Sequence, residues 1–211
     1  MIWNGFENQY WPALYLIDAK GAIRQRQFGE GGYVEAERMI QQLLAEAGVA
    51  GTGRDLVAVD AQGIEAAADW DNLRSAENYL NSERSEGYVK SGALPPQLRL
   101  NEWTAVGDWT INTKAAALKA PHGRIVYRFH ARDVNLVMGP AAPGTSVPIR
   151  IRLDGQPPGK AHGGDVDEQG EGTVNEQRLY QLIRQPRPIV DRQFEIEFRD
   201  AGAEAFCFTF G

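Results

Sequence analysis

Two runs near the end of the chain, "RQFEIEFRD" at residues 192–200 and "AEAFCFTFG" at residues 203–211, decide how the rest is read. Phe194, Ile196 and Phe198 alternate with polar neighbours in the first, and Phe206, Phe208 and Phe210 take every second place in the next. A period of two puts each trio on one face of a β-strand. Ile125, Tyr127 and Phe129 in "RIVYRFHA" repeat the pattern, and these nine side chains are expected to form the centre of a core.

Outward from these runs the same grammar holds. "QLRLNEW", "GDWTI", "AAALKA", "DVNLVMG", "VPIRIRLDG" and "RLYQLIR" are short runs separated by turn signals. That spacing predicts an antiparallel, jelly-roll-like β-sandwich over 95–211. Toward the start, "WPALYLID", the turn "AKG" and "AIRQRQFG" read as a hairpin. In "YVEAERMIQQLLAEAG", Val34, Ala36, Ile40, Leu43, Leu44 and Ala47 lie along one helical face, with Gly48 at the stop position. Residues 1–48 are therefore a ββα piece. The stretch 49–94 reads as a wrapping linker with patchy helical character in "IEAAADWDNLRSAENYLN". The fold class expected is mainly β with a small α/β part.

Composition excludes several functions. A net charge of -6 without a Lys/Arg stripe argues against nucleic acid as a partner. Cys207 is the one cysteine, so the chain contains no CxxC, internal disulfide or cysteine-rich zinc site. No apolar run is long enough for a membrane span, and the start "MIWNGFENQY" lacks the basic and apolar regions of a signal peptide.

The aromatic-Pro step Trp11-Pro12, "ALYLID", "AKG", "AIRQRQFG" and the helix after it resemble the C-terminal part of thioredoxin-like domains of the thiol-disulfide interchange kind. "YRFHARDVNLVMGPAAPGTSVPIRIRLDGQPPG", "RLYQLIRQ" and "FTFG" resemble the module, similar to carbohydrate-binding modules, that ends DipZ-type proteins. The resemblance implies that Pro12 corresponds to the cis-proline beside a redox dithiol. It also implies an extracytoplasmic setting and carbohydrate as ligand class. The strands that carry CxxC in that family would precede Trp3. The ββα piece is then a truncated thioredoxin-like remnant that packs on the sandwich, pairs with a protein partner or a second copy, or belongs to a longer chain. The expected role is a non-catalytic binding module. The alternative is a fragment of a thiol-disulfide oxidoreductase whose CxxC lies upstream.

Sugar-binding sandwiches combine flat aromatic faces with a few polar groups. Trp103 and Trp109 in "NEWTAVGDWTI" and Tyr180 with Arg184 in "RLYQLIR" are the candidates, joined by Arg132 in "FHARDV". For the tryptophans the competing reading is core packing, and for Arg132 a salt-bridged turn with Asp133. "DVDEQGEGTVNE" sets Asp165, Asp167, Gln169, Glu171 and Glu176 at the spacing of a calcium loop, with Gly170 at its turn. Gln169 is not the usual Asp or Asn, and "PPGKAHGG" cannot supply the preceding helix, so a solvated acidic hairpin is the alternative. No other cofactor is expected. His122, His130 and His162 are too scattered for a metal set. No Gly-x-Ser-x-Gly elbow is present. Cys207, between two phenylalanines on a strand, has nothing beside it to activate a thiolate.

Overall fold

The computed structural model describes residues 5–8, 12–28, 32–49, 53, 55–57, 63, 66–94 and 97–211. The chain folds as two compact units, residues 1–60 and 61–211.

In the first unit β1 (Ala13–Ile17) and β2 (Ile23–Phe28) form an antiparallel hairpin. Its turn is shaped by Asp18, whose Oδ1 accepts the backbone N–H of both Lys20 and Ala22 at 2.9 Å. The hairpin leads to the helix α1 (Tyr33–Glu46). Gly48 ends that helix at φ 76°. Its N–H reaches the Ala45 carbonyl while Val49 N–H reaches Leu44, the paired bonds of a Schellman cap. The apolar helical face is less covered than the periodicity suggests. Ala36 is buried, whereas Val34, Ile40 and Leu44 stay exposed. A two-stranded hairpin is too narrow to cover a helix of 14 residues. The Trp11–Pro12 bond lies outside the described residues, and Pro12 itself is exposed.

The second unit is an antiparallel β-sandwich. One sheet runs β10 (Glu171–Val174), β9 (Val147–Leu153), β12 (Arg192–Phe198), β7 (Gly123–Phe129), β4 (Trp103–Val106). The other runs β11 (Arg178–Arg184), β8 (Asp133–Pro140), β13 (Ala203–Phe210), β6 (Ala116–Leu118), β5 (Trp109–Ile111), with β3 (Asn78–Tyr79) paired to β13. The register explains the core: Ile125 faces Ile196, which faces Ile151, and Tyr127 faces Phe194, which faces Leu153. These inward rows meet Leu136, Met138, Tyr180 and Phe208 of the opposite sheet. Outward, Arg124, Arg152, Glu195 and Glu197 form a cross-strand ladder, with Glu195 set between Arg152 at 3.0 Å and Arg124 at 3.5 Å.

Seven of the nine expected core side chains are fully buried. Phe206 and Phe210 are only partly buried. On β13 the register to β8 shifts between Ala205, which faces Met138, and Cys207, which faces Val137. Phe206 is the extra residue of this bulge, so the inward set changes from Ala203 and Ala205 to Phe208. A strict period of two cannot continue through such an insertion.

Residues 66–94 contain no α-helix. A single 3-10 turn, Trp70–Asn72, is followed by extended chain. Here side chains take the backbone's hydrogen bonds: the Asn81 Oδ1 caps Glu83 and Arg84, and Asn78 holds Glu86. Leu80 from this stretch is fully buried in the sandwich core.

Candidate functional site

Two polar clefts of the sandwich unit lie beside residues 97–102, the irregular segment that enters β4. "QLRLNEW" reads as a strand in sequence, but Asn101 adopts φ 66° and pairing begins only at Trp103. The left-handed Asn101 is held on every side. Its N–H donates to the Arg128 carbonyl, its Oδ1 accepts from Ser75 Oγ at 2.7 Å, and its Nδ2 reaches the Arg74 carbonyl. Gly87 passes directly over it at φ 65°, where a Cβ would overlap the Asn101 carbonyl. Only glycine permits that approach.

The first cleft, about 290 Å³, is lined by Glu77, Asn78, Glu86, Asn101, Glu102 and Tyr127, among others. Asn78 is its buried organiser. Its Nδ2 donates to the Glu86 carbonyl at 2.8 Å and to the Tyr127 hydroxyl at 3.2 Å, and its Oδ1 accepts the Glu86 N–H at 3.0 Å. Tyr127 is a buried core residue that also lines the cleft. Among the described residues its hydroxyl accepts from Asn78 and meets no acceptor for its own proton. Burial raises the Tyr127 pKa above the usual phenol value and the Asn78 bond pulls it partly back, so the proton stays on oxygen at neutral pH. Glu102 accepts from Arg99 N–H through Oε2, and the exposed Glu86 carboxylate has no partner among the described residues. Beside Gly87, Tyr88 lies with its ring 4.6 Å from Trp103 and is 40% exposed. The cleft thus offers a fixed hydroxyl, carboxylate acceptors and a neighbouring aromatic face.

The second cleft, about 390 Å³, is lined by Gln97, Arg128, Asp154, Gly155 and Gln193. Gln193 Oε1 accepts the Leu98 N–H at 3.0 Å, and the Asp154 carboxylate accepts Gln193 N–H and pairs with Arg192.

The candidates named from sequence are placed elsewhere. Trp103 is fully buried, its Nε1 donating to Ser85 Oγ, so its indole is core beneath Tyr88. Tyr180 is also fully buried, its hydroxyl donating to the Glu176 carbonyl. Trp109 is partly covered by an edge contact with Phe198 and donates to the Val106 carbonyl. Arg132 and Arg184 do come together, but on the buried Asp133 carboxylate, at 2.6 and 2.7 Å. The same two guanidiniums also donate to the carbonyls of Ala67 and Gly63. Asp133 raises the Arg184 pKa, and the cluster reads as a structural clamp. Asn78, Glu86, Asn101 and Tyr127 carry no site signal in the sequence: the first two lie in the stretch read as a linker, Asn101 in a run read as a strand, and Tyr127 in the alternation of a core strand.

The calcium spacing does not produce a common centre. Asp165 receives Arg178 at 2.7 Å and the Gln181 N–H at 2.7 Å, Asp167 caps its own turn, and Glu171 pairs with Arg150 and Arg199. Glu176 pairs with Arg178, and Gln169 is exposed. Among the described residues no three His, Cys, Asp or Glu side chains converge for a metal. Arginines occupy three of the carboxylates that a cation would need, those of Asp165, Glu171 and Glu176.

Cys207 and His130, side chains suited to covalent or acid–base chemistry, are both engaged in contacts with neighbouring residues. Cys207 is buried, and burial together with the nearby Glu77 carboxylate drives its thiol far above the ordinary range. His130 Nδ1 pairs with Asp191 at 2.6 Å, but the nearby Ser75 hydroxyl accepts the His130 backbone N–H rather than meeting the ring. Among the described residues no helix is long and apolar enough to cross a membrane.

Residues 73–211 match the family described as the thioredoxin like C-terminal domain. The chain is 31% identical over 160 residues to Protein DipZ of Mycobacterium bovis and, equally, of Mycobacterium tuberculosis. The match covers 74% of this chain and 22% of each relative, so the chain spans about a fifth of their length. Among solved structures, a family two carbohydrate esterase from Cellvibrio japonicus is similar at 12% identity and TM-score 0.38, over 51% of this chain and 30% of that one.

Proposed function

The chain belongs to the thioredoxin-like C-terminal domain family and is related to DipZ; from that premise we propose that it is a non-catalytic binding module for carbohydrate. The cleft organised by Asn78 is the site. The observation that carries this reading is the Tyr127 hydroxyl, held by Asn78 with its proton unclaimed among the described residues and presented to a polar cleft.

Sugar hydroxyls both donate and accept. Glu86 and Glu102 accept from them through charge-assisted bonds, and Tyr127 donates. Tyr88 provides the apolar face for a pyranose ring. Nothing in the site needs to move electrons or form a covalent bond, consistent with the protonated, buried Cys207. In a longer relative the module would hold a thioredoxin-like neighbour close to its glycan or glycosylated substrate.

The test is calorimetric titration of the purified chain with common hexoses and soluble cell-wall oligosaccharides. Saturable heat that is lost in Tyr88→Ala and Asn78→Ala supports the assignment. An absence of heat across the panel would overturn it.

A further inference from the structure

The second cleft holds a cation with almost nothing to bind. Arg128 leaves β7 toward Gln97, Asp154, Gly155 and Gln193, and its side chain is only 19% exposed. Its guanidinium makes no hydrogen bond among the described residues, and its single ion pair, to Asp191 Oδ2, is long at 3.8 Å. A guanidinium carries five N–H donors in a planar fork, and those of Arg128 are open to solvent in the cleft, where an entering acceptor can meet them.

The neighbouring carboxylates do not satisfy it. Asp191 is held through Oδ1 by His130. Asp154 commits one oxygen to the Gln193 N–H at 2.7 Å and the other to Arg192. Gln193 uses its Oε1 on Leu98, which leaves its amide NH2 without a partner among the described residues. Gln97 is exposed at the rim. The lining therefore offers the Gln193 amide and a guanidinium whose one ion pair is long.

The geometry points to this cleft as a site for a carboxylate-bearing sugar of the uronic acid class, its carboxylate taken by Arg128 and its hydroxyls by Gln97 and Gln193. A planar carboxylate matches a guanidinium in two parallel bonds, a fit that a neutral hydroxyl does not reproduce. The volume, about 390 Å³, lies within the range of small-ligand pockets. That the ligand is a sugar rests on the carbohydrate reading given above; that it carries a carboxylate rests on Arg128 alone. Because the chain carries a net charge of -6, the preference must come from the fork and not from general attraction.

Methyl glucuronide and methyl glucoside differ only at the group in question. Calorimetry with both, on the wild-type chain, Arg128→Lys and Arg128→Gln, is paired with 15N NMR of the Arg128 Nε–H in the wild type. The expected result is at least about tenfold tighter binding of the glucuronide, roughly one well-placed charged hydrogen bond. That preference should shrink in Arg128→Lys and vanish in Arg128→Gln, with the Nε–H resonance shifting on titration. Equal binding of both sugars, or an unmoved resonance, overturns the Arg128 site and leaves the carbohydrate reading intact. Heat with neither sugar overturns the site, and the neutral oligosaccharide panel then decides the broader reading separately. Arg128-dependent binding of an acidic peptide in place of the glucuronide overturns the sugar class. Should Arg128→Gln fail to fold, Arg128→Lys and the wild-type resonance decide.

Discussion

Asn78→Ala tests whether one buried amide shapes the first cleft. The substitution removes three hydrogen bonds, two to the Glu86 peptide and one to the Tyr127 hydroxyl, at 2.8 to 3.2 Å. Each contributes about 1 kcal/mol net. Glu86 is exposed and its peptide groups recover water, so the expected loss is about 2 kcal/mol rather than the full sum. For a chain of this size that corresponds to a fall of roughly 4 to 8 °C in melting temperature. Urea denaturation followed by near-ultraviolet circular dichroism, which reports the packed aromatic core, measures it. Sugar binding should be lost well below the melting transition, because residues 86–88 lose their anchor while the sheets persist. A loss under about 0.5 kcal/mol, or unchanged binding, would refute the idea that Asn78 holds that wall.

Other consequences are equally open to measurement. Phe208→Ala should cost about 3 to 5 kcal/mol, whereas Phe206→Ala, at the bulge and partly exposed, should cost under about 1 kcal/mol; equal losses in urea melts would mean that the alternation runs through unbroken. For Cys207 the folded pKa is raised, so the unfolded chain releases a proton first as pH rises above about 8.5. Its stabilising contribution is complete below that pH and declines above it, approaching about 1.4 kcal/mol per pH unit. Urea melts from pH 7.5 to 10 should show Cys207→Ala lacking that part of the alkaline decline, and parallel curves would contradict the assignment. Asp165→Asn weakens the hold on Arg178 and on the Gln181 N–H, and thermal melts should show a loss of about 1 to 2 kcal/mol whether calcium or a chelator is present. A calcium-dependent difference would restore the cation reading.

Most strands, the hairpin and the helix stop at Gly48 were legible because periodicity and turn residues act over a few neighbours in sequence, whereas β3 and β10 are too short to show a period. The bulge at Phe206 was not, since nothing in "AEAFCFTFG" says that Cys207 rather than Phe206 must face Val137. Burial of the aromatics was equally hidden. Trp103 and Tyr88 are both near turns, yet only the approach of residues 85–90 to β4 decides which ring is covered. Asn78 looks like any loop asparagine until Glu86 and Tyr127, eight and 49 positions away, are brought to it. The clefts are products of such long-range closures, so local patterns could not announce them.

Two of the four strands at the ends of the sheet orders, β4 and β11, are each sealed by a few residues of passing chain. Gly87 and Val89 exchange hydrogen bonds with Trp103 on one, and His162 bridges Ile183 while Gly163 bonds Leu182 on the other. An open strand edge is a template on which another chain can continue the sheet. These short covers therefore work as stoppers against fibre growth, and the glycine that brings residues 85–90 onto β4 helps keep the protein from polymerising through that edge.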